Sequence, residues 1–159
     1  MADTSHNYTP LDLQAFAQQI YQGRPLVIVP YGYPLSFTGL SQNTTQTQQL
    51  SITANADFIL TEIKYHANIG AAQTISNKTA AFVRMLVTDS GTNEQFTNAA
   101  VDLENYATNG PNLTGVLPYP RFIGGRTALT VTVTSYAPTA ETYALELFFE
   151  GILCRTYSA

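Results

Sequence analysis

The sequence predicts an all-β fold: an antiparallel β-sandwich, with jelly-roll topology as the expected order, preceded by one N-terminal helix and an extended arm. Three observations predict it. RTALTVTVTSYAPTAETYALELFFEG, from Arg126 to Gly151, alternates apolar and polar residues with the two-residue period of a half-buried strand. Seven or eight runs of this kind are spaced by Gly, Pro, Asn and Asp turn signals. Helical spacing is convincing in one place alone. The expected division is an N-terminal arm over 1–46, with a helix over about 10–22, and a sandwich domain over 47–159.

The helix is TPLDLQAFAQQIYQG. Thr9 suits the cap, Pro10 the first helical position, and Asp12 lies three residues after the cap. Leu13, Phe16, Ala17 and Ile20 form one apolar stripe, and Gly23 ends it. In RPLVIVPYGYPLSFTG, Pro30 and Pro34 exclude a central strand. A short strand over Leu26 to Val29 is expected there, followed by an extended arm. Its large groups, Tyr31, Tyr33 and Phe37, need a surface to lie on, either their own domain's or a partner's.

Strands follow from Thr47. Leu50 and Ile52 mark the first. In DFILTEIKYHA the apolar parity switches between Leu60 and Ile63, which predicts a bulge near Thr61 and Glu62. Val83, Met85 and Val87 point inward, and Asp89-Ser90-Gly91 makes a turn. Ala100 to Leu103 reads as a short strand, and ATNGPNLTGVLPYPRF as loop. Leu129, Val131 and Val133 then form one inward face. Tyr143, Leu145, Leu147 and Phe149 form the returning one. Phe148 breaks the alternation, standing on the polar face with Glu146 and Glu150. It marks a solvent-touching aromatic, or a contact with another chain or with the arm.

Charged residues make up 11% of the 159, against about 25% in an average domain. Thr, Asn, Gln and Ser replace them. Hydroxyls and amides are far cheaper to desolvate than charges, so such a surface suits contact with other proteins. The net charge is −4 and no basic cluster occurs, which argues against nucleic acid as a partner. The polar start, MADTSHNYTPLD, carries no basic-then-apolar run, so neither a signal peptide nor a membrane span is expected. Cys154 is the one cysteine and cannot form an intrachain disulfide.

Reactive equipment is sparse. His6 lies in the tail and His66 has no ligand-spaced neighbour, so no metal site is expected. DSGTNE, Asp89 to Glu94, lacks the spacing of an EF-hand loop. Asp102 and Glu104 alternate as two acids could in a glycosidase, but two acids two apart on a solvent-facing edge are more often simply solvated. No G-x-S-x-G nucleophile motif is present, and Gly124-Gly125-Arg126 lacks the Lys and following helix of a phosphate loop. No catalytic residue and no cofactor are expected, and the chain is not read as an enzyme.

LPYPRFIGGRTALTVTVTS followed by YALELFFEGI resembles a pattern of tailed-bacteriophage virion proteins: a proline loop, a Thr-rich strand, a turn, and a strand ending aromatic-acid-Gly. The chain is similar in this stretch, about Val116 to Leu153, to the capsid decoration (cement) proteins. That resemblance implies a small jelly roll, folded in the host cytoplasm and carried on the virion exterior. Its implied partners are the major capsid protein and copies of itself, as a dimer or trimer. Leu13, Phe16, Ile20, Tyr31, Tyr33, Phe37 and Phe148 are then the candidate partner contacts. The alternative is a phage tail, fibre or receptor-binding module that takes carbohydrate on the loop from Asn105 to Tyr119, with Tyr106 and Tyr119 as its aromatics.

Overall fold

The computed structural model describes residues 8–108 and 116–157. Helix α1 (Pro10–Ile20) starts at a reciprocal cap. The Thr9 hydroxyl accepts from the Asp12 N–H at 3.2 Å, and the Asp12 carboxylate accepts from the Thr9 N–H at 3.0 Å. These bonds hold the Asp12 carboxyl below its ordinary range. The strands are β1 (Leu26–Ser41), β2 (Thr45–Ser51), β3 (Asp57–Ile69), β4 (Val83–Asp89), β5 (Glu94–Gln95), β6 (Val101–Asp102), β7 (Ala107–Thr108), β8 (Val116–Ile123), β9 (Ala128–Ser135) and β10 (Thr142–Thr156).

They form an all-β sandwich of two sheets. The first runs β1-β10-β3, with β7 and β8 both pairing β3. The second runs β2-β9-β4, with β5 and β6 both pairing β4. The pairs are antiparallel except β3 with β7. The first strand therefore lies beside the last, and the second beside the next to last, in opposite sheets. Between the sheets sit Phe37, Phe58, Met85, Leu129, Val131, Leu145, Leu147 and Phe149, all essentially inaccessible to solvent. The inward faces predicted for β4, β9 and β10 are the ones buried.

Two expectations are corrected. Residues 26–41 are not a short strand plus a free arm. They are one 16-residue strand paired with β10 from Leu26 to Ser41. A boundary at residue 46 would remove an edge of the first sheet. The prolines bar a central strand, but an edge strand directs alternate amides away from its neighbour, where a missing N–H leaves no ladder bond unmade. The same reason corrects the loop expected over 107–122. Its Pro-containing end is β8, on the opposite side of the same sheet. Prolines on an edge also discourage pairing with foreign strands.

The predicted bulge is present. Glu150 pairs with Glu62 and Gly151 with Leu60, leaving Thr61 as the extra residue. The Thr61 hydroxyl donates to the Glu150 carbonyl at 3.1 Å. Gly151 lies so close to the Ile59 backbone that a Cβ there would collide with it. The bulge lets Leu60 and Ile63 share the core face, while Ile59 alternates to the opposite one.

Leu147 is fully buried, whereas Thr132 stands half-exposed on the outer face of β9. Leu147→Ala should therefore cost about 2–5 kcal/mol in urea unfolding. Thr132→Ala should cost no more than about 0.5 kcal/mol, as surface changes usually do. Equal losses would contradict this assignment of faces.

Candidate functional site

The apolar stripe of α1 is used inside the chain. Leu13, Phe16, Ala17, Ile20 and Tyr21 pack on Ile59, Ile152, Cys154, Leu26 and Ile28, on the outer face of the first sheet. Leu13, Phe16 and Ile20 are therefore corrected from partner contacts to an internal layer. The Tyr21 hydroxyl donates to the Asp57 carboxylate, whose other oxygen accepts from the Gly125 N–H at 2.7 Å. Burial and this bond to Asp57 push the Tyr21 phenol upward. Burial also pushes the Cys154 thiol up to about 11, which leaves it protonated and unreactive near neutral pH.

The arm residues divide. Phe37 is wholly buried, and Tyr33 sits edge-on to Phe58 at 5.0 Å between centroids, so both are core residues and not a partner surface. Tyr31, also edge-on to Tyr33, remains 44% exposed. The Phe148 ring lies over Gly32, where no Cβ could fit. Its neighbour is thus the chain's own β1.

Beside Phe148, the outer face of the first sheet gathers charge. Lys64 Nζ lies 3.2 Å from Glu62 Oε1 and 2.9 Å from Glu150 Oε2. Burial, then hydrogen bonding to Glu150, raises the Glu62 carboxyl. Hydrogen bonds from Glu62 and Lys64 lower that of Glu150. Glu146 pairs with His66 one step along. The two glutamates reach into a groove of about 580 Å³ between α1 and the sheet, walled by Leu13, Leu26, Ile28 and Ile152. The Glu-x-Lys alternation in β3 was readable in the sequence; the distant Glu150 was not.

The second sheet's outer face is different. Its pairing register sets Thr45, Thr134 and Arg84 in one row, Thr47, Thr132 and Leu86 in the next, and Gln49, Thr130 and Thr88 in a third. Thr45 and Thr134 share a hydroxyl hydrogen bond of 2.9 Å, and Thr47 and Thr132 one of 3.0 Å. Arg84, a corner of this grid, is its single charge, 3.6 Å from Asp102.

The predicted carbohydrate loop is divided as well. Residues 109–115 lie outside the described residues. Tyr106 is buried, donating to Thr97 Oγ1 at 2.6 Å, while Tyr119 on β8 is 71% exposed. Both nonetheless border one cleft of about 400 Å³, together with Asn105 at the start of that loop and with Phe96 and Arg121, which no local sequence pattern marks. The acids Asp102 and Glu104 border one small cleft of about 220 Å³ beside Phe82, but each has its own partner: Asp102 faces Arg84, and Glu104 accepts from the Tyr65 hydroxyl at 3.0 Å. Among the described residues no group of three or more His, Cys, Asp or Glu is placed to hold a metal, and no helix is long and apolar enough to cross a membrane. No family model, curated protein or solved structure matches the chain.

Lys64 is the one cation between Glu62 and Glu150. With it present, the lowered Glu150 carboxylate favours folding above the usual carboxylate range, and that contribution fades as pH falls. The raised Glu62 carboxyl works the other way, favouring folding less as pH rises. Removing the ammonium leaves two facing carboxylates to repel at neutral pH, but two neutral acids at about pH 3. Lys64→Met should therefore lower the melting temperature more at pH 7 than near pH 3. An equal loss at both would contradict the coupling.

Proposed function

We propose that this protein is a structural component of a bacteriophage virion, a jelly-roll decoration protein that binds the capsid exterior and clamps neighbouring copies of the major capsid protein. The observation that carries the reading is the threonine grid: a sheet face that no element packs over among the described residues, and with almost no charge. Docking it desolvates hydroxyls, some already paired with each other, at far lower cost than ion pairs. The charged outer face of the first sheet would point to water. The strand order, first beside last and second beside next to last in opposite sheets, supports the jelly-roll topology. As a dimer or trimer, the protein would hold several subunits at once, and weak contacts would add through multivalency.

A second reading is favoured by the cleft beside Tyr119: a tail or receptor-binding module that takes carbohydrate. An exposed aromatic ring next to an amide and a guanidinium is suited to stacking and hydrogen bonding a sugar.

Removing residues 1–40 cannot test the first reading, because it would strip β1 and Phe37 from the core. Charging the grid can. Thr47→Glu, made alone so that no like charge faces it across the strands, should abolish attachment to purified heads while shifting the urea midpoint little, since the position faces outward. Mass spectrometry of virions should find the chain in proportion to the major capsid protein. Full attachment of the charged variant, or recovery at the few copies of a tail component, would contradict the reading.

A further inference from the structure

The β8 cleft holds a fixed cation beside an open aromatic platform. The Arg121 guanidinium lies 4.1 Å above the centre of the Phe96 ring. A guanidinium stacked in this way has lost much of its freedom before a ligand arrives, so little more is lost on binding. Its carboxylate neighbour among the described residues is Glu94, at 3.6 Å and on an exposed strand end, a pairing of small worth that a ligand can displace. Tyr119 is held from behind. Phe16 of α1 meets it edge-on with centroids 5.5 Å apart, and the Tyr8 hydroxyl donates to the Leu117 carbonyl two residues earlier. The ring thus offers its accessible surface to the cleft from a braced position. Asn105, at the end of the 3-10 turn Leu103–Asn105, adds an exposed amide.

A planar cation, an exposed ring and an amide around about 400 Å³ match a sugar that bears a carboxylate. We propose that this cleft binds an acidic saccharide of the uronic acid class. Arg121 takes the carboxylate through its forked N–H groups, Tyr119 stacks on the pyranose ring, and Asn105 bonds a ring hydroxyl. The inference rests on the carbohydrate reading above and narrows it to acidic sugars. It is independent of whether the threonine grid binds a capsid.

The test is titration of the full chain with trigalacturonate, with its methyl ester and with maltotriose, followed by amide and aromatic NMR shifts. Trigalacturonate should bind at least about tenfold more tightly than either neutral sugar, with shifts centred on Tyr119 and Asn105. Arg121→Gln should erase that preference. Arg121→Lys, which keeps the charge but loses the fork, should retain part of it. Tyr119→Ala, which removes the stacking ring together with its edge contact to Phe16, should weaken all three sugars while the amide spectrum away from β8 and α1 stays that of the folded chain. Equal binding of the acid and its ester would overturn the acidic-sugar inference while leaving the carbohydrate reading intact. No binding of any of the three, with the NMR spectrum of the folded chain unchanged, would overturn both.

Discussion

One end of the first sheet is apolar on both of its faces, and most of the molecule's architecture follows from having to cover it. Ile59, between the inward Phe58 and Leu60, faces outward beside Ile152 and Cys154 of β10 and Ile28 of β1. Fully burying a side chain such as Ile59 or Ile152 is worth about 1.5–3 kcal/mol each, so this patch cannot be left to water at little cost. Helix α1 covers it. The helix then ties down β8 through Tyr8 to Leu117, Phe16 to Tyr119 and Tyr21 to Phe122. Asp57 joins the helix end to the turn before β9. The groove beneath the helix and the braced ring at the β8 cleft are consequences of the same packing.

The two outer faces divide the surface chemistry. Glu62, Lys64, His66, Glu146 and Glu150 lie together on the first sheet, while the second sheet carries the threonine grid. In a chain so poor in charge, this separation gives the molecule a side suited to water and a side cheap to desolvate. The carboxylate pair also shows why its lysine matters: Glu62 and Glu150 face each other across β3 and β10 with one ammonium between them.

Much of the fold was legible because strand alternation is local. The capping box, the bulge at Thr61 and the inward faces of β4, β9 and β10 could all be read from neighbouring residues. The failures share a cause. VPYGYP and LPYP look like broken strands in sequence, since a proline's effect depends on which way its missing N–H would have pointed. That direction is set by strands distant in sequence, β10 for the first stretch and β3 for the second. The apolar stripe on α1 and the lone Phe148 were likewise visible, but not their partners, because the patch at Ile59 and Ile152 and the opening over Gly32 exist only after β10 joins β1 to β3. Of the β8 cleft, Tyr106 and Tyr119 could be named from sequence. Arg121 could not, since its meaning comes from stacking on Phe96.

The central claim is that α1 is a third layer of the fold and not an arm awaiting a partner. Its most direct test is urea unfolding of a chain lacking residues 1–23, with Cys154 labelled by a thiol reagent under native conditions. Loss of the helix should destabilise the sandwich by about 3 kcal/mol or more and open Cys154 to rapid labelling. An unchanged midpoint with Cys154 still protected would contradict the account.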